Sequence, residues 1–134
     1  MLPFEFVIPG IPVSQQTRKR TRLTAYKQEV RAHATKRLPN GSNPVSIPVK
    51  ITVVYYYENV PLDTDNFIKP VQDALIGVVY ADDNQVWDIG LRKTNLAGSF
   101  RVKGMSAVLA EGFCSGKEFL YVRVEPAPDH GDLL

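Results

Sequence analysis

Residues 47–57 read Ile47-Pro48-Val49-Lys50-Ile51-Thr52-Val53-Val54-Tyr55-Tyr56-Tyr57, and residues 66–76 read Asn66-Phe67-Ile68-Lys69-Pro70-Val71-Gln72-Asp73-Ala74-Leu75-Ile76. The first stretch is the clearest strand in the chain, because β-branched and aromatic side chains suit a pleated, partly buried surface. The second places Phe67, Val71, Ala74 and Leu75 at i, i+4, i+7 and i+8, the stripe of a helix that buries one side. Gly77 follows as a stop at the C′ position. Pro70 conflicts with this pattern, since it lacks an N–H and crowds the preceding turn. The helix therefore either begins late enough to hold Pro70 in its first turn or is kinked there.

On the N-terminal side, Phe4-Glu5-Phe6-Val7-Ile8 alternates like an edge strand and is closed by Pro9-Gly10 and Pro12. Thr17-Arg18-Lys19-Arg20-Thr21-Arg22 is a basic run without apolar period, which reads as a loop or arm. From Arg22 to Leu38 the apolar residues Leu23, Tyr26, Val30, Ala34 and Leu38 fall at helical spacing, and Lys27, Arg31, Lys36 and Arg37 stud the remaining surface. Pro39 to Pro44 forms a loop. On the C-terminal side, Gln85–Lys93 and Phe119–Glu125 read as strands, and Phe100–Glu111 is expected to supply another. The element order is then β-α-β-α-β-β-β. That is an α+β domain with two principal helices on a mixed or mainly antiparallel sheet, spanning 1–134 with a polar tail from about residue 126.

A chain of 134 residues, 44% hydrophobic, holds one core and is too apolar to be disordered. No apolar run is long enough to span a bilayer, the opening residues lack the signal-peptide pattern, and a lone Cys114 cannot close an intramolecular disulfide. These features point to a cytoplasmic protein without membrane contact. The formal net charge of +2 conceals an asymmetry. Residues 1–50 carry nine Lys/Arg against Glu5 and Glu29, whereas residues 51–134 carry seven against twelve acids. A basic half beside an acidic half suggests a polyanion-binding surface next to carboxylates with another task.

Between Glu58 and Asp88 stand seven acids and a single base, Lys69. Asp63 and Asp65 flank one residue just ahead of the helix; in an extended segment both point to the same side. Lys69 and Asp73 follow at steps of four, so within a helix Asp73 can hold the Lys69 ammonium. Asp82-Asp83 come after a short turn, and a helix with its return connection can bring them back beside Asp63 and Asp65. Three or four carboxylates about one point make a hard-oxygen site for Mg²⁺ or Mn²⁺. The alternative is that Asp63 and Asp65 cap the helix while Asp82-Asp83 make a polar turn. Phosphodiester cleavage uses carboxylate-held metal, a cation for the transition-state charge and a basic binding surface together.

The run Asp63-Thr64-Asp65-Asn66-Phe67-Ile68-Lys69-Pro70-Val71-Gln72-Asp73-Ala74-Leu75, then Asp82-Asp83-Asn84-Gln85-Val86, resembles the signature of the RusA family of Holliday junction resolvases. That signature is D-x-D-N-x-x-K-x-x-x-D-A-L followed by D-D-x-x-[IV], and every fixed position is matched. Phe6-Val7-Ile8-Pro9-Gly10-Ile11-Pro12-Val13 resembles the family's opening strand and turn. One departure is that Gln15-Gln16-Thr17-Arg18-Lys19-Arg20 stands where many members have an Arg-Pro-Arg-type motif. The resemblance implies a bacterial or phage endodeoxyribonuclease of DNA recombination and repair, a homodimer that makes paired nicks across a four-way junction with Mg²⁺ or Mn²⁺. It implies Asp63, Asp65, Lys69 and Asp83 as catalytic residues. Asp63, Asp65 and Asp83 would hold the metal, with Asp73 and Asp82 in support. Arg18, Lys19, Arg20, Arg22, Lys27 and Arg31 are the expected DNA contacts. Two other functions compete: a non-catalytic binder of branched DNA with the same fold, and a metal-dependent hydrolase of small nucleotides. His33, His130 and Cys114 have no metal-spaced or nucleophile-site context, and Trp87 is expected in the core. Of Tyr55, Tyr56 and Tyr57, at least one is expected to face the core and others DNA.

Overall fold

A computed structural model describes residues 2–58, 64–97 and 102–132, with 64–66 and 132 through their backbone alone. The elements are β1 (Phe4–Pro9), α1 (Arg20–Arg37), β2 (Val49–Tyr57), α2 (Thr64–Leu75), β3 (Val86–Asn95), α3 (Ala107–Cys114) and β4 (Phe119–Pro126). The four strands form one mixed sheet in the order β1-β4-β2-β3. β4 pairs antiparallel with both β1 and β2, while β2 and β3 are parallel. Parallel neighbours need a crossover, and α2 supplies it.

Period-two alternation sorts the sheet residues onto two faces. Phe4, Phe6, Ile8, Val49, Ile51, Val53, Tyr55, Leu120, Val122 and Val124 are buried on one face. They lie under Leu23, Tyr26, Val30 and Ala34 of α1 and Phe67, Val71, Ala74 and Leu75 of α2. The apolar stripes read from the sequence are therefore the packed ones. Val54, Tyr56, Phe119 and Tyr121 point to the other face, where Leu109 of α3 covers them. The three consecutive tyrosines divide accordingly: Tyr55 and Tyr56 are buried on opposite faces, and Tyr57 is half-buried.

Four expectations change. The segment expected as a strand up to Glu111 contains helix α3; Phe100 and Arg101 lie outside the described residues. Ser106 starts this helix by accepting a hydrogen bond from the Leu109 N–H at 3.1 Å, the role of an N-cap. A Cβ on Gly112 would sit 2.5 Å from the Phe119 ring, so the absence of a side chain lets α3 lie against β4. The basic run is only partly an arm, because α1 begins at Arg20. Trp87 is 53% exposed rather than in the core, because β3 is the sheet's edge; its ring instead rests 5.2 Å from that of His130. Pro70 lies inside α2, whose start at Thr64 rules out a place in the first turn.

The tail also has a fixed place. Ala127 N–H donates to the Pro48 carbonyl at 3.0 Å, and His130 bonds Asp88 at 2.8 Å from a short turn on β3.

Candidate active site

α2 carries the central part of the acidic cluster. Asp63 lies outside the described residues, and Asp65 stands in the first helical turn. Lys69 Nζ is 3.1 Å from Asp73 Oδ1, the i,i+4 pair expected from spacing. Asp73 does more than that spacing suggests, for its Oδ2 is 3.5 Å from Lys27 Nζ of α1. One carboxylate is thus clasped by two ammonium groups from two helices, while the Lys69 side chain stays about half exposed and can reach a ligand.

Arg31, one turn beyond Lys27, donates to the Ala74 and Ile76 carbonyls at 3.4 and 3.1 Å, satisfying groups at the C-terminus of α2. The two helices therefore run side by side in the same sense. From Lys27 back to Arg20, and from Asp73 back to Asp65, is about 10–12 Å along each helix. The basic start of α1 and the acidic start of α2 consequently share one end of the molecule. Arg18, Lys19, Arg20 and Arg22 are exposed there, and among the described residues none forms an ion pair. The six basic residues proposed from sequence therefore divide: these four are open to a ligand, whereas Lys27 and Arg31 already bind α2.

At the other end of α2 the chain turns through Gly77, whose φ of +79° suits a residue without Cβ. Val45 fastens this turn: its N–H donates to the Val79 carbonyl at 2.9 Å and its carbonyl accepts from Ala81 at 3.2 Å. Tyr80 is buried and donates from its hydroxyl to the Gln72 carbonyl at 2.7 Å. Burial raises its pKa, and the charges of Asp73 and Asp83 add to the rise. Both carboxylates therefore act on this end of α2. The Asp82 carboxyl, a cap for the single turn Asp83–Gln85, is held below the ordinary carboxylate range. The largest cause is its hydrogen bond with the Asp83 side chain, followed by the Asn84 N–H. Among the described residues no lysine, arginine or histidine pairs with Asp82 or Asp83.

Gln85 was missed in the sequence. It is 9% exposed and uses its whole amide. Its Oε1 accepts from the Ala81 and Asp82 N–H groups at 2.9 and 2.8 Å, and its Nε2 donates to the Val45 and Ile47 carbonyls at 2.8 and 2.9 Å. Through this side chain the Asp82–Asp83 turn is tied to the chain at Val45 and Ile47. The available signal was a polar residue one place before a strand, which is too common to single out.

A family model for endodeoxyribonuclease RusA matches residues 11–103, a span containing α1, β2, α2, β3 and every candidate acid and base. The chain belongs to the RusA endodeoxyribonuclease family. No curated protein matches it. Membership makes this RusA-family protein a nuclease of the hydrolase class. Among its described residues no helix is long and apolar enough to cross a membrane. Nor do three or more His, Cys, Asp or Glu side chains gather among them to hold a metal ion.

Proposed function

We propose that this protein is a divalent-metal-dependent Holliday junction resolvase, cutting a four-way DNA junction by paired nicks in recombination and repair. The observation that carries the reading is Lys69, held by Asp73 at 3.1 Å within a RusA-family match and half open to solvent. A cation fixed in this way can meet a scissile phosphate without reorganising during the reaction. The donor chemistry fits Mg²⁺ or Mn²⁺: the candidate ligands are all carboxylates, and Asp83 has no cationic partner among the described residues. Asp63, Asp65 and Asp83 would hold the ion, which when bound supplies an activated water and offsets charge on the leaving oxygen.

The chain's own residues do the rest. Arg18, Lys19, Arg20 and Arg22 bind the phosphate backbone at the end of α1, and Lys69 offsets charge developing on the phosphate. Asp73 positions Lys69, while Lys27 keeps Asp73 from following Lys69 toward the substrate. Symmetric nicking fits a homodimer with one site for each of two equivalent strands. The cytoplasm of a bacterial cell, host or phage-infected, is where such a substrate arises.

The test is a labelled synthetic four-way junction incubated with Mg²⁺ or Mn²⁺, with and without chelator. Metal-dependent nicks at symmetric positions are expected. Binding without nicking in either metal would replace this reading with the non-catalytic binder.

A further inference from the structure

We propose that the loop between β1 and α1 forms a pocket for one unstacked base of the junction, with the Gln16 amide reading that base's hydrogen-bonding edge. This rests on the resolvase reading above and adds a source of sequence preference.

The pocket is a cavity of about 300 Å³. Its lining is of two kinds. Ile11 and Pro12 are apolar, and Ile11 is a large side chain that the fold leaves 58% exposed. Ser14, Gln16, Thr17 and Arg22 are polar. Among the described residues the Gln16 amide and the Thr17 hydroxyl make no hydrogen bond, and Arg22 forms no ion pair. The loop is held by other groups. The Gln16 and Thr17 N–H groups donate to the Ser14 Oγ and carbonyl, each at 3.1 Å, and the Arg20 guanidinium donates to the Gln15 carbonyl at 3.3 Å. The side chains that line the cavity are thus left for a ligand. Gln16 and Thr17 also lie in the stretch where this chain departs from the family's basic motif.

The lining selects the occupant. Arg22 is its single cation, so the cavity is poorly matched to a phosphate and better matched to an uncharged group. Apolar surface and a guanidinium plane suit the face of a flat ring, while an amide and hydroxyls suit the donors and acceptors on its edge. A volume at the lower end of small-molecule pockets has room for one base and not for a stacked pair.

The topology sets the pocket beside the candidate active site. β4 lies between β1 and β2 and is antiparallel to both, so β1 and β2 run in the same direction. Their C-terminal ends are two strand spacings apart, about 10 Å. Glu118 fastens them: its carbonyl accepts from the Gly10 N–H at 2.8 Å, and its Oε1 accepts from the Glu58 N–H at 2.9 Å. The same end of β2 meets the start of α2, where Phe67 packs on Tyr55 with ring centroids 5.7 Å apart. The loop after β1 therefore stands at the end that carries Asp65, about three nucleotides away along a DNA strand. Strand exchange interrupts stacking at the crossover, so a base is taken out there at lower cost than within a duplex.

Two measurements test this, both at saturating protein. In the first, 2-aminopurine, which brightens when unstacked, replaces single bases within about four nucleotides of the crossover of a four-way junction bound in chelator. Wild-type protein should brighten one position, and Thr17→Trp, which fills the cavity and is checked for folding by circular dichroism, should not. In the second, junctions randomised over the same positions are nicked with Mn²⁺ and the products sequenced. Wild type should favour one base at one position by about tenfold or more. Gln16→Ala should flatten that position alone, and Gln16→Glu, whose carboxylate only accepts, should change which base is favoured there. Equal brightening by wild type and folded Thr17→Trp, or a base distribution that Gln16→Ala leaves unchanged, would overturn the proposal. Brightening that Thr17→Trp abolishes, in a protein that nicks with neither metal, would sustain base capture and reject the resolvase reading instead.

Discussion

Replacing Gln85 by leucine removes four hydrogen bonds while nearly preserving volume, and the structure shows which groups are left without partners. The Val45 carbonyl and the Ala81 N–H retain each other at 3.2 Å. The Ile47 carbonyl and the Asp82 N–H lose the partner they had in Gln85. A stranded polar group costs about 1–3 kcal/mol when buried. Ile47 and Asp82 are both exposed residues that water can reach in part, so the lower range applies and the sum is about 2–3 kcal/mol. In a chain of this size each kcal/mol moves the Tm by about 3–5 °C, which gives a fall of about 6–15 °C. Thermal unfolding at fixed protein concentration, followed by circular dichroism, reads this directly. The same substitution loosens the Asp83 turn, so Mn²⁺ affinity should fall by about 10–100-fold, the usual effect of losing an outer-shell partner. Gln85→Glu should not rescue, because a carboxylate cannot donate to the two carbonyls. A Tm within about 2 °C of wild type for Gln85→Leu would refute the claim that this side chain ties the turn to Val45 and Ile47.

Lys69→Ala should lower the single-turnover nicking rate at saturating Mn²⁺ by about 10²–10³, with metal affinity retained. Its stability should change by less than about 1 kcal/mol, because the pair is half exposed and Asp73 keeps Lys27; full rescue by excess Mn²⁺ would assign Lys69 a structural role. Asp63→Asn or Asp65→Asn should abolish nicking while junction binding survives or tightens, and near-wild-type nicking by either would remove it from the site. Alanine at Arg18, Lys19, Arg20 and Arg22 together should flatten the log–log salt dependence of binding by up to about 0.9 for each phosphate no longer neutralised. An unchanged slope would exclude the start of α1 as a DNA-binding surface.

Much of the fold could be read locally. β2 and the stripes of α1 and α2 depend on periodicity within their own segments, and the same residues are buried. α3 could not be read this way, because Leu109, Gly112 and Phe113 give only one helical repeat and Gly112 is a poor helix former. Its packing against Phe119 selects the helix, and that packing is not local. Trp87 was misplaced for a related reason: the strand was legible, but its position at the sheet edge follows from pairing order.

The candidate site divides similarly. The Lys69–Asp73 pair follows from helical spacing. Lys27 as a second partner, and Gln85 as the anchor of the acidic turn, depend on segments about 40 residues away in sequence. Spacing could suggest that Asp82-Asp83 return to Asp63 and Asp65. Only the parallel pairing of β3 with β2 shows that they emerge at the far end.

The most direct test of the central claim uses a supercoiled plasmid that extrudes a cruciform, incubated with the wild-type protein and Mn²⁺ or Mg²⁺. Paired nicking within one binding event converts the plasmid to linear product. The account predicts metal-dependent linear DNA that chelator abolishes, with Asp83→Asn yielding none. Nicked circles alone, or cutting that persists in chelator, would contradict it.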